Sequence, residues 1–104
     1  MTKEKTLTTE ALLEKLEVEL KQYEHEWLQM TPRELINHSY YIVSVLTAKN
    51  YIGFMAEDGN ADLVAFDQTE NILEDFMYFY MDQLDEGINE ETIKEFESFL
   101  LEDY

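Results

Sequence analysis

The side chains of this chain that could do chemistry are two histidines and a large excess of carboxylates. His25 and His38 do not have the HExxH spacing, and no glycine-rich phosphate loop or nucleophile elbow accompanies them. His38 is followed by Ser39, but adjacent residues on a helix point to different sides. Both histidines therefore read as surface or part-buried side chains, and no catalytic residue is expected. With no cysteine in the sequence, disulfides and thiolate metal sites are excluded. Asp58-x-Asn60-x-Asp62 has the residue types of a calcium loop at its first, third and fifth positions. The sixth, where a glycine makes the sharp turn, is Leu63; the twelfth, where a glutamate closes the site, is Thr69. The segment reads as a polar turn, and no metal and no cofactor is expected.

The carboxylates are the stronger signal. The formal net charge is -17. Up to Ile52 there are six basic and eight acidic residues; from Gly53 onward there are one basic residue, Lys94, and sixteen acidic ones. On the helices expected there, Glu70 and Glu74, Asp82 and Glu86, and Glu91 and Glu95 are spaced four apart. Like charges at that spacing oppose a helix by a few tenths of a kcal/mol per pair. A face kept acidic at that cost repels nucleic acid and anionic membrane and attracts basic protein surfaces. The expected contact set is Glu70, Glu74, Asp75, Asp82, Asp85, Glu86, Glu90 and Glu91, with Tyr78 and Phe79 as apolar anchors beside it.

Four helices must position these residues. Thr8 or Thr9 caps the first, with Glu10 near the positive end of its dipole. Its apolar face runs Leu13, Leu16, Leu20, Tyr23, Trp27, Met30, in alternating steps of three and four. Glu14, Lys15, Glu17, Glu19, Lys21, Glu24 and Glu26 fall on the other faces. Thr31-Pro32-Arg33-Glu34 is a capping box with proline at the first helical position. The helix it starts carries Leu35, Ile36, Tyr40, Tyr41, Ile42, Val43, Val45 and Leu46; being apolar on most sides, it is placed centrally. It either breaks near Lys49-Asn50 or continues towards Met55. The segment 56–67 contains the turn signal Asp58-Gly59-Asn60, then Leu63 to Phe66, which reads as an extended stretch or a single helical turn. Asp67 to Glu70 repeats the capping-box pattern for a third helix with Ile72, Leu73, Phe76, Met77, Tyr80 and Leu84 inward and Gly87 after its end. Large apolar residues run unbroken from Phe76 to Met81, so about half of them must face away from the core. Asn89 caps a last helix with Ile93, Phe96, Phe99 and Leu100 inward, Ile88 packing back on Ile93. The fold class is all-α: a small bundle or irregular array of about four helices in one domain, 1–104.

Leu13 to Glu17, Tyr23, Thr31-Pro32-Arg33-Glu34-Leu35-Ile36 and Ser39 to Val43 resemble a family of short uncharacterised bacterial proteins found in Gram-positive genomes and their mobile elements. The likeness covers the first half of the chain and implies no catalytic residues. In size, helical content and acidity the chain is also similar, as a class, to phage anti-CRISPR and anti-restriction proteins and to nuclease-immunity proteins.

The expectation is a non-enzymatic acidic inhibitor of the DNA-mimic or anti-CRISPR type. Its partner is the basic surface of a nucleic-acid-binding protein, with no direct nucleic-acid or membrane contact. Two alternatives stay open: a helical adaptor or homodimer binding through an apolar helix face, and an immunity protein for a nuclease toxin. Met1 to Glu10 has no apolar leader region, and the longest stretch free of charged residues and histidine, Ser39 to Ala48, is too short to span a bilayer. A cytoplasmic protein is expected.

Overall fold

The computed structural model describes residues 7–81 and 87–103. It is all-α: α1 (Thr9–Leu28), α2 (Pro32–Asn37), α3 (Ser39–Glu57), α4 (Leu63–Phe66), α5 (Ile72–Tyr80) and α6 (Glu90–Asp103). Among the described residues no helix is long and apolar enough to cross a membrane.

Local chemistry accounts for most boundaries. The Thr8 hydroxyl accepts the Ala11 N–H at 3.0 Å and starts α1. At α2 the Thr31 side chain accepts from Glu34 N at 3.2 Å and the Glu34 carboxylate from Thr31 N at 2.9 Å, a reciprocal cap. At α6 the Asn89 side chain accepts from Thr92 N at 3.0 Å. The end of α3 is a Schellman turn: Asn60 N donates to Met55 O at 2.7 Å and Gly59 N to Ala56 O at 3.1 Å. Gly59 carries the turn at φ 78, a conformation that a Cβ disfavours.

Three boundaries differ from the sequence reading, and two that it left open, at Lys49-Asn50 and at Leu63–Phe66, are decided. The second expected helix is two, divided at His38, whose ψ of 4 lies outside the helical range. It then passes unbroken through Lys49-Asn50 to Glu57. Leu63–Phe66 is a single helical turn, capped by Asp62, which accepts from Ala65 N at 3.2 Å. The third long helix starts at Ile72, not after Asp67, because Asp67 ends α4 and the cap is supplied from another helix. It ends at Tyr80, well before Gly87. Leu84 lies outside the described residues.

α1 and α3 pack antiparallel: Lys49 Nζ meets Glu17 Oε2 at 2.6 Å, and the hydroxyls of Tyr23 and Tyr41 lie 3.3 Å apart. α5 is set against α1, α3 and α6, which buries Phe76, Met77, Phe79 and Tyr80 and leaves Tyr78 and Met81 exposed. The core joins Leu12, Leu16 and Leu20 of α1 to Ile52, Phe66, Ile72, Leu73, Phe76, Ile93, Phe96 and Leu100. Phe96 is its aromatic hub, 5.2 Å from Phe76 edge-on, 5.5 Å from Phe79 and 6.0 Å from Phe66.

α3 is less central than its composition suggests. Val45, Ala48, Ile52 and Met55 are buried, but Tyr40, Val43 and Phe54 are each about three-fifths exposed. This uncovered face runs the length of the helix.

Two glutamates are buried among these apolar groups. Glu97 is 4% exposed; its carboxylate accepts the Asp62 N–H at 2.8 Å and meets Lys94 Nζ at 3.2 Å, while Lys94 donates to Asn60 O at 2.5 Å. α6 thereby holds the loop leading into α4. Glu19 plays the corresponding part between α1 and α5.

Candidate functional site

Glu19 lies between Leu16 and Tyr23 along α1 and is 6% exposed. Its two oxygens accept the N–H groups of Ile72 at 2.9 Å and Leu73 at 2.8 Å. These are the first two residues of α5, whose N–H groups have no partner within their own helix. The Asn71 side chain makes no cap bond. The Glu19 anion therefore stands where the helix dipole favours it. Burial still raises the Glu19 carboxyl above its usual range; the two backbone bonds and Lys15, with its Nζ at 3.8 Å, work against that rise.

This anchoring lays the start of α5 along α1 and creates a cavity of about 250 Å³. Its walls hold three carboxylates, Glu19, Glu26 and Glu74, two rings, Tyr23 and Tyr41, and the amide side chains of Gln22 and Asn71. The rings are held in place. Tyr23 stacks on Trp27 with centroids 5.7 Å apart, and Tyr41 stacks on His38 at 4.7 Å. Burial, and then the hydrogen bond with Tyr41, push the Tyr23 hydroxyl far above its ordinary value, so it remains protonated. A second hollow adjoins the first through Asn71 and is lined by Gln68, Thr69, Glu70 and Asp75. There the Thr69 hydroxyl donates to the Asp75 carboxylate and accepts from Asn71 N at 3.2 Å.

Of the expected contact residues, Glu70, Glu74 and Asp75 are brought together here. Glu70 precedes α5, so it does not form a helical pair with Glu74. Tyr78 is 75% exposed and continues the outward face of α5 begun by Glu74 and Asp75. Phe79 is a correction: it is 9% exposed, packed 5.2 Å from Phe99 and 5.5 Å from Phe96, and cannot serve as an exposed anchor. A turn of 100° separates it from Tyr78 and directs it to α6. Glu90 and Glu91 are exposed on the first turn of α6 and line neither hollow. Asp82, Asp85 and Glu86 lie outside the described residues.

Glu19, Tyr23, Glu26 and Tyr41 belong to the site without having been singled out. Glu19 is a correction: expected on a polar face of the first helix, it is buried, because three residues from Leu16 and four from Tyr23 is the spacing of the apolar seam itself. Among the described residues no group of three or more His, Asp or Glu side chains is placed to hold a metal. Asp58 and Asp62, two of the residues with calcium-loop spacing, are helix caps. His25 is exposed.

Three of the described cations are spent internally. Lys15 donates to Glu70 O at 2.5 Å, Lys49 is bound to Glu17, and Lys94 to Asn60 and Glu97. Comparison with protein-family models, curated proteins and solved structures finds no match to the chain.

Proposed function

We propose that the protein is a non-enzymatic inhibitor that binds the basic, nucleic-acid-gripping surface of a target protein, using the cavity between α1 and α5 and the outward face of α5. The observation that carries this reading is the composition of that cavity: three carboxylates and two tyrosine rings around about 250 Å³. That combination suits one ligand chemistry, the cationic end of a lysine or arginine side chain. Glu26 and Glu74 are exposed and supply charge; tyrosine rings add an attraction of about 0.5–2 kcal/mol for a cation over their faces. The neighbouring Glu70, Asp75 and Tyr78 widen the surface so that several basic side chains can be met at once.

Proteins that bind nucleic acid present rows of Lys and Arg to phosphates. An acidic chain with net charge -17 competes for such a row and is itself repelled by nucleic acid. The class likeness to phage and mobile-element counter-defence proteins points the same way, and the proposed setting is the cytoplasm. The test is capture of partners from a lysate on the immobilised protein with elution by a salt gradient, followed by competition with duplex DNA. The reading expects a nucleic-acid-binding protein that elutes with rising salt, is displaced by DNA, and is not captured by a Glu26→Lys, Glu74→Lys variant. A captured partner indifferent to DNA and to that double change would overturn it.

A further inference from the structure

The uncovered face of α3 is a second surface, independent of the acidic one. Ile36, Tyr40, Val43, Thr47, Asn50 and Phe54 follow steps of four, three, four, three and four, the repeat of a helix seam that packs on another helix. On α3 the members from Tyr40 to Phe54, with Leu46 at the flank, fall within an arc of about 120° at 100° per residue. Ile36 is 71% exposed, Phe54 64%, Tyr40 61% and Val43 60%. We infer that this face is a self-association surface, joining two copies of the chain through α3 packed antiparallel on α3 about a two-fold axis near Thr47.

Charge identifies the second copy as the occupant. Between Ser39 and Ala56 the one charged residue is Lys49, and it is tied to Glu17 at 2.6 Å. A chain of net charge -17 repels its own copy over most of its exterior, and this face is where two copies meet without that penalty. A basic partner would gain no Coulomb attraction from it. The ends are complementary to themselves. Arg33 precedes the seam and Glu57 and Asp58 follow it. Arg33 stands on α2, across the break at His38, and an antiparallel pairing brings the α2 end of each copy to the acidic end of the other, twice about a two-fold axis. Antiparallel helix dipoles agree with the arrangement.

The polar position at the centre also fits. The Thr47 hydroxyl donates to Val43 O at 2.7 Å, so its donor is already satisfied when water is excluded. The area is adequate too. Tyrosine and phenylalanine side chains bury roughly 150–250 Å² each, so Tyr40 and Phe54 leave about 200–300 Å² bare per copy. Ile36, Val43 and Leu46 enlarge this towards the apolar centre of a standard interface, in which each partner buries about 800 Å².

The experiment is a mass measurement by sedimentation equilibrium over a concentration series, at about 0.1 M and about 1 M salt. The expected result is a shift from 12.4 kDa to twice that mass, with the dimer fraction held or raised by salt because screening weakens the repulsion between copies. This is the opposite sign from the acidic surface, so the two readings fail separately. Val43→Glu should keep its helical circular dichroism and remain at single mass throughout. Val64→Glu, an equally exposed valine on α4, should dimerise like the parent. If Val43→Glu loses helicity, Thr47→Cys replaces it. The chain has no other cysteine, and a residue near the axis should give a disulfide-linked dimer with diamide where Val64→Cys does not. Single mass for the parent at every concentration would overturn the inference. So would a folded Val43→Glu that dimerises as the parent does, or a Thr47→Cys dimer that diamide cannot link.

Discussion

The Glu19 carboxylate accepts the Leu73 N–H at 2.8 Å, and with it the Ile72 N–H at 2.9 Å, although 54 and 53 residues separate the partners. A helix cap is normally local. Here the side chain that starts α5 comes from the middle of α1, so the start of one helix and the packing of two are a single interaction. Glu19→Ala leaves two buried N–H donors without partners and should cost about 1–3 kcal/mol of stability for each that water does not reach. The loss is measured by urea unfolding, and the same variant should lose helicity at α5 in hydrogen exchange. Full parental stability would show that the bond carries nothing.

The same carboxyl gives a pH dependence with a definite sign. Burial raises its folded-state pKa above the unfolded value. The folded protein then holds this proton more tightly than the unfolded chain between the two values. The contribution is fully present below the unfolded pKa and is lost as pH rises through the folded one. Glu19→Gln cannot titrate. The difference in unfolding free energy, parent minus Glu19→Gln, should therefore fall as pH rises through that window and be flat above it. Denaturant titrations at a series of pH values check the slope, and a difference that grows with pH would contradict the assigned cause.

The elements legible in the sequence were those whose chemistry is local. Thr8, Thr31-Pro32-x-Glu34, Gly59 and Asn89 each act on a backbone group a few residues away, and each stands where its residue type indicates. Asp67 misled because Asp67–Glu70 has the pattern of a cap, while the donors of α5 are met by Glu19, which no local pattern connects to Ile72. The surface acids Glu70, Glu74 and Asp75 were legible from charge alone. The cavity that Glu74 borders was not, because most of its other walls come from α1 and α3. Burial of Phe79 beside exposed Tyr78 depends on where α6 packs, which periodicity within a short apolar run does not determine.

Gly59 isolates a backbone effect from packing. Its φ is 78, and a Cβ built there would meet nothing within 4 Å. Gly59→Ala should therefore lose about 1–2 kcal/mol through left-handed strain alone, with no change in the surrounding structure. A thermal melt of the variant, read beside its amide spectrum, tests both parts. A loss accompanied by shifts throughout α4 and α6 would point to a steric cause instead.

Adjacent aromatic residues on α5 should separate stability from binding. Phe79 is buried against Phe76, Phe96 and Phe99. Replacing it with alanine removes most of a buried ring from a packed cluster and should cost about 3–5 kcal/mol. Tyr78 is 75% exposed, so Tyr78→Ser should alter stability by no more than about 0.5 kcal/mol. It stands on the same outward face as Glu74 and Asp75, however, where an aromatic ring next to carboxylates can seat against the stem and charge of a basic side chain. Tyr78→Ser should then weaken capture of the proposed basic partner while its unfolding curve overlays that of the parent. Urea titration and a binding isotherm on the same two variants settle the division. Unchanged affinity for Tyr78→Ser would remove the ring from the contact surface and leave the carboxylates alone to carry it.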